Sequence, residues 1–239
     1  MTNQHPRPSF TWLGHATVRC TLPGGEVVLI DPWVMGNPAC PEPLRRFDRL
    51  DAMLITHAHS DHMGDAVELA QRHRPRQIVA PLEICTWLQS QGVENCSGMN
   101  LGGSMEVLSS TVTMVRADHS SSLVDGGQIV YGGPASGYIV KLSGGFTFYH
   151  AGDTALFSDM QLIAELYRPE LAFLPIGDFY TMDPRQAARA CRYLEVRKVV
   201  PIHWGTFPVL TGTPQQLIEA LDDLGVACEV LALQPGDTY

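Results

Sequence analysis

The chain has 239 residues, 45% of them hydrophobic and 17% charged, with a formal net charge of −9. That composition is ordinary for a globular protein, and at this length a folded chain buries about 70–75% of the surface it exposes when unfolded. Lys141 and Lys198 are its only lysines, so the basic stripe that a nucleic-acid partner demands is missing, and no apolar run reaches the length of a membrane span.

Met1 to Ser9 is polar and carries no apolar signal core. The expectation is a cytoplasmic protein with a small-molecule substrate, no nucleic acid and no membrane; a homo-oligomer is left open. Phe10 to Thr21 reads as one strand, with Glu26 to Ile30 as its hairpin partner after Pro23-Gly24-Gly25. His15 within it suits a satisfied core position and a pocket position equally. Asp31-Pro32 ends the hairpin, and Trp33 to Pro43 reads as a loop.

Ala52 to Thr56 is a short buried strand that delivers His57-Ala58-His59-Ser60-Asp61-His62 onto a turn. A helical pattern follows, with Met63, Ala66, Val67 and Ala70 on one face. In extended backbone His57 and His59 point the same way, because side chains alternate. Asp61 and His62 fall where the helix starts. Imidazole and carboxylate are the groups that zinc, iron and manganese take from proteins. The hexapeptide is therefore suited to two adjacent metals, two ligands each.

Ile78-Val79-Ala80 is a buried strand, and Leu82 to Gln91 a helix ending before Gly92. Glu106 to Ala117 holds two strands split at Ser109-Ser110 and delivers Asp118-His119-Ser120-Ser121-Ser122 onto a loop. Asp125-Gly126-Gly127 and Gly132-Gly133-Pro134 mark a mobile connection. Gly137 to Leu142 and Phe146 to His150 form a second hairpin, which runs into Ala151-Gly152-Asp153-Thr154. Ser158-x-x-Gln161 reads as a capping box for a helix that buries Met160, Ile163, Ala164 and Tyr167.

Leu171 to Ile176 is a core strand. Asp183-Pro184-x-Gln186 and Thr213-Pro214-x-Gln216 each open a helix, and between them Lys198 to Ile202 ends at His203-Trp204-Gly205-Thr206. Both halves run hairpin first, then strand–helix units. That order predicts an α/β domain over residues 1–239, with two sheets face to face, helices outside and a site along one edge. The six cysteines (Cys20, Cys40, Cys85, Cys96, Cys191 and Cys228) are scattered without a Cys-x-x-Cys pair, so reduced thiols are expected rather than a disulfide framework.

The candidate metal ligands are His57, His59, Asp61, His62, His119, Asp153 and His203. Those outside the hexapeptide also follow apolar runs, where neighbouring strands converge on one rim. His5 and His73 read as solvated, and His150 as structural or as a support behind the ligands, rather than as a ligand. Ser120, Ser121, His15 and Asp178 are pocket candidates for orienting a substrate or protonating a leaving group. Trp33-Val34-Met35, Phe179-Tyr180-Thr181-Met182 and Phe207-Pro208 are candidate pocket walls, which suggests a partly apolar substrate.

On these motifs the sequence resembles the metallo-β-lactamase fold hydrolases. Within them it is most similar to the bacterial UPF0173 group, near the ascorbate-6-phosphate lactonase branch. The closer resemblance is carried by Trp12-Leu13-Gly14-His15-Ala16-Thr17, Gly98-Met99-Asn100, His119-Ser120-Ser121, Tyr149 to Thr154, Leu174 to Asp178 and Pro201 to Phe207. It implies a four-layer αββα sandwich of two mixed sheets. It also implies two divalent ions, zinc first and manganese or iron as alternatives. His57, His59 and His119 would hold one ion and Asp61, His62 and His203 the other, with Asp153 bridging. Asp31 would brace the site, and Thr154 sits beside the bridging carboxylate. The expected chemistry is attack of metal-bound hydroxide on an ester, lactone or phosphodiester of a small substrate, with an anionic one left open because two divalent ions attract it, and with Asp61, His15 and Asp178 as the candidate catalytic side chains. The competing readings are an iron redox enzyme of the sulfur dioxygenase type and a non-catalytic metal-binding interaction module.

Overall fold

The computed structural model describes residues 7–239; the reading of His5 lies outside the described residues. The first half forms a six-stranded sheet of β1 (Ser9–Trp12), β2 (Val18–Thr21), β3 (Val27–Ile30), β4 (Ala52–Leu54), β5 (Gln77–Pro81) and β6 (Cys96–Met99), in that spatial order. The first three strands pair antiparallel and the rest run parallel to β3. Helices α1 (Ser60–Met63), α2 (Ala66–His73) and α3 (Leu82–Ser90) supply the crossovers.

The second half contributes β7 (Ser104–Val107) and β8 (Ser110–Arg116), then the ribbon β9 (Ser122–Asp125) and β10 (Gln128–Tyr131), then β11 (Ser136–Leu142) and β12 (Thr147–His150). After these come α4 (Met160–Tyr167), β13 (Leu171–Pro175), α5 (Pro184–Leu194), β14 (Lys198–Ile202), α6 (Pro214–Leu224) and β15 (Glu229–Val230). Its seven-stranded sheet has the order β15-β14-β13-β12-β11-β8-β7. The expected pair of mixed sheets with helices outside is what the chain adopts.

Side-chain alternation explains the layering. Val28, Ile30, Ala52, Leu54, Phe173, Val200 and Ile202 meet between the sheets, joined by Phe10, Tyr138 and Phe148. The intervening Leu29 and Met53 face the first helical layer, and Ala172 and Leu174 the second. Strands covered on both faces read as continuous apolar runs, as Leu171–Pro175 does. At the C-terminus Phe10 and Tyr239 exchange backbone hydrogen bonds, which covers the free edge of β1.

Several local expectations are corrected. The strand expected over Phe10–Thr21 is two strands, because Gly14 and His15 turn left-handed and Leu13 and Thr17 close a tight loop. A side chain at Gly14 would put its Cβ 2.8 Å from Cβ of Ala39. The helix after the hexapeptide begins earlier, at Ser60, and restarts at Ala66. The segment taken as a mobile connection is a hairpin whose Gly126-Gly127 turn has two positive φ angles, the backbone a two-residue turn needs. The split between β7 and β8 falls at Leu108-Ser109. Ser158 does not cap α4, whereas Asp183 caps α5 and Thr213 forms a full capping box with Gln216.

Cys85 and Cys96 form a disulfide between α3 and the first residue of β6, which corrects the expectation of six reduced thiols. The crossover helix packs straight back on the strand it feeds, so an eleven-residue separation closes to a Cα–Cα distance of 5.4 Å. Among the described residues no helix is long and apolar enough to cross a membrane.

Candidate metal centre

Strand direction assembles the site. β8 and β12 are both antiparallel to β11, and β13 and β14 run parallel to β12. Their C-terminal ends therefore share one rim, from which β8 delivers His119, β12 delivers Asp153 and β14 delivers His203. The end of β4 in the facing sheet adds the hexapeptide. Thr56 O, just before it, accepts from Ser136 N at 3.1 Å and from Ser136 Oγ at 2.7 Å, which ties the two sheets together at the site.

Asp153 is at the centre. Its Oδ2 lies 3.0 Å from His203 Nε2, 3.3 Å from His62 Nε2, 3.5 Å from His119 Nε2 and 3.9 Å from His57 Nε2. None of the first three nitrogens makes a hydrogen bond, and Asp153 Oδ1 is also buried without a partner. Buried polar atoms are normally paired. A cluster of orphaned nitrogens around one carboxylate, too far out of line to donate to it, has the spacing of atoms that share cations. Ligands of one tetrahedral zinc lie about 3.3 Å apart.

The imidazole tautomers point the same way. Thr56 N and Oγ1 donate to Asp31 Oδ1 and Oδ2 at 2.8 and 2.9 Å. With its proton spent, Thr56 Oγ1 accepts from His57 Nδ1 at 2.9 Å, which leaves His57 Nε2 bare. Asp31 Oδ2 likewise takes the Nδ1 proton of His62 at 2.8 Å. His59 Nε2 lies 3.3 Å from Ser120 Oγ, and its Nδ1 faces His57 Nε2 at 3.0 Å. With the His59 proton on Nδ1, that nitrogen donates to His57 Nε2 and Ser120 Oγ donates to His59 Nε2; a cation held by both rings would take the place of the shared proton. The donor set thus fits metal: His57, His59 and His119 form one group of mutually close ligand atoms, and Asp61, His62, His203 and His15 another.

Of the other residues singled out in the sequence, Ser121 Oγ accepts from Ala58 N at 3.2 Å and holds the hexapeptide turn. Thr154 Oγ1 accepts from Asp118 N at 2.9 Å and so ties the His119 loop to the Asp153 turn. His150 is buried between Ala16 O and Gly152 N. Asp178 is not brought to the group: it is exposed, enters none of the site's side-chain hydrogen bonds, and lines a groove between α5 and α6. Sequence reasoning missed Thr56 and Thr206, whose hydroxyls fix ring orientations across the fold. His15, Asp31 and His203 all have positive φ without being glycine, a strain that accumulates at functional sites.

Residues 26–204 match the model of the beta-lactamase superfamily domain. A UPF0173 metal-dependent hydrolase of Koribacter versatilis is 53% identical over 229 residues, covering 96% of both chains. The chain belongs to the UPF0173 metal-dependent hydrolases. A UPF0173 protein of Methanopyrus kandleri is 45% identical to it, over 96% of this chain and 98% of that one. Among solved structures, the metallo hydrolase Igni18 of Ignicoccus hospitalis is 34% identical, covers 97% of each chain and superposes with a TM-score of 0.85.

The metal-free electrostatics of this UPF0173 hydrolase follow from burial and from Asp153. Burial pushes His57, His59 and His119 below the usual imidazole range, with neighbouring histidines adding to the effect. His15 falls to about 4, by burial and by the charge of His203, against the pull of Asp61. For His62 burial also favours the neutral ring, but Asp153 and Asp31 outweigh it and hold its pKa well above normal. Burial alone would raise Asp153; His203 and His62 reverse that and keep it ionised. Asp61 behaves the same way, its burial outweighed by the His15 hydrogen bond and by His62. His57, His59 and His119 are thus already neutral and Asp61 and Asp153 charged, whereas His62 holds a proton that a cation at its Nε2 would have to displace.

Proposed function

We propose that this chain is a dinuclear metallo-hydrolase that cleaves an ester, lactone or phosphodiester of a small, partly apolar substrate. His57, His59 and His119 would hold one ion and Asp61, His62 and His203 the second, with Asp153 facing both; zinc suits the imidazole-rich set best. Ions held there would supply Lewis-acid chemistry, lowering the pKa of water towards about 7 and polarising the scissile oxygen. The observation that supports this reading is the set of buried, unpartnered Nε2 atoms of His62, His119 and His203 gathered around Asp153, whose Oδ1 is also unpartnered.

The chain's own residues do the rest. Asp31 and Thr56 fix two ring tautomers and orientations, as partners of ligand imidazoles do. Trp33 and Phe207 meet the His15 ring edge-on, with centroids 5.2 and 5.7 Å from it and 6.1 Å from each other. They give the rim beside Asp61 an aromatic wall, suited to an apolar part of the substrate and to excluding water from it. Asp178, outside the site's hydrogen bonds, is given no catalytic role.

The test is turnover of a panel of chromogenic esters, lactones and phosphodiesters by the zinc-loaded protein and by the Asp61→Ala and His119→Ala variants. At least one member of the panel should respond, and both variants should lose that turnover. Activity that survives either substitution unchanged would end the dinuclear reading.

A further inference from the structure

His15 and Thr206 stand beside the proposed ligands of the second ion, each with a task to be read from its hydrogen bonds. Their geometry assigns both. His15 Nε2 lies 3.0 Å from Asp61 Oδ2, and His15 Nδ1 lies 3.0 Å from Thr206 Oγ1. A carboxylate only accepts, so a neutral His15 carries its proton on Nε2; its bare Nδ1 then accepts the Thr206 hydroxyl proton. The chain of donation runs one way, from Thr206 through His15 to Asp61.

The middle member is rigid. His15 is fully buried and left-handed, with φ of 56°, and its carbonyl accepts from Trp12 Nε1 at 2.9 Å and from His203 N at 2.8 Å. Its ring lies against that of His203, centroids 3.8 Å apart. Asp61 is the opposite: it sits on the one-turn helix α1 with its side chain 30% exposed. Among the described residues its carboxylate has no hydrogen bond other than the one from His15. Unclamped, it would be free to turn into solvent.

We propose that Thr206 and His15 are positioning residues that clamp Asp61 and thereby set the affinity of the second ion, an inference that rests on the two-ion reading above. His15 acts through Asp61 and not on the substrate. Thr206 shares the turn after β14 with His203, so one turn supplies a ligand of that ion directly and orients another through His15. In the first group, His57 and His59 take their orienting bonds from Thr56 and Ser120 instead, and neither Thr206 nor His15 bonds to any of its three rings.

The experiment is a two-step titration of the full-length, metal-free chain with Zn²⁺ alone against a chromogenic chelator. It compares wild type with Thr206→Val, Thr206→Ala and Thr206→Ser. Removing Thr206, two hydrogen bonds beyond the ligand, should weaken the second step roughly tenfold, the low end of the effect known for partners that touch a ligand directly. The first step should stay unchanged in Val and Ala, and Ser should restore wild-type behaviour. Thermal melts of the zinc-free variants guard against a folding effect and should coincide, because Thr206 is only half-buried. Equal second-step affinity in wild type, Val and Ala overturns the clamp and leaves the two-ion reading intact. So does parallel weakening of both steps, or a Ser variant no better than Val. A wild type that takes up fewer than two zinc ions overturns the two-ion reading, and the clamp falls with it.

Discussion

Asp31 links the stability of the fold to the chemistry of the site, and two substitutions separate these roles. It is fully buried and accepts three hydrogen bonds, from Thr56 N, Thr56 Oγ1 and His62 Nδ1. Asp31→Ala strands all three donors at about 1–3 kcal/mol each. Allowing for relaxation, roughly 3–6 kcal/mol of the 5–15 kcal/mol typical of a domain is lost. Alanine also fits the positive φ of 52° badly, whereas asparagine tolerates it. Asp31→Asn keeps an oxygen for Thr56 N but presents an amide NH₂ where Oδ2 stood. His62 must then turn a lone pair on Nδ1 towards that amide and carry its proton on Nε2, the nitrogen that faces Asp153. The expected outcome is a loss of about 1–3 kcal/mol in urea unfolding of the metal-free protein, together with a 10–100-fold loss of zinc affinity by chelator competition. Wild-type zinc affinity in Asp31→Asn, or equal destabilisation by Asn and Ala, would refute the reasoning.

Three further outcomes follow from the same geometry. Metal-free protein should lose stability steeply as pH falls below 6.5, because unfolding then takes up protons on His15, His57, His59, His119 and His150, whose folded pKa values are all lowered. Each contributes up to about 1.4 kcal/mol per pH unit, with the His15 share exhausted at about pH 4. His62, raised in the folded state, adds no slope in that window because both states carry its proton. A flat profile from pH 6.5 to 5 would contradict these environments. Denatured, unreduced protein should titrate four thiols and reduced protein six, since Cys85 and Cys96 are bonded and the other four cysteines are free; six in both would remove the bond. Gly152→Ala would put a methyl 2.7 Å from Ser136 O and 2.8 Å from Thr56 Cβ, at a φ of 61° that alanine resists. It should cost about 1–3 kcal/mol and loosen zinc by displacing Asp153; unaltered melting and binding would show that the turn has slack.

The ligand pattern was legible because its chemistry is local: three imidazoles and a carboxylate fall within six residues, and each remaining candidate follows a buried strand. The sandwich was legible because strands covered on both faces read as unbroken apolar runs. What was hidden depends on contacts remote in sequence. Thr206 meets His15 across 191 positions, and nothing near either residue announces it. The left-handed turn at Gly14 and His15 that breaks the first hairpin lies against Ala39, which leaves no room for a side chain at position 14, and beside the gap between α1 and α2 the Asp65 carboxylate accepts from the backbone N–H groups of Val34 and Met35. Cys85 and Cys96 look unrelated until the helix folds back on its strand. The ribbon β9–β10 differs for another reason: Asp125-Gly126-Gly127 carries a hairpin signal as well as a breaker signal, and the cross-strand pairing decides for the hairpin.

The most direct test of two cations gathered about one carboxylate is a crystal of the zinc-loaded protein measured on both sides of the zinc absorption edge. The account predicts two anomalous peaks flanking Asp153, one among His57, His59 and His119 and the other among Asp61, His62 and His203. A single peak, or zinc bound away from Asp153, would contradict it.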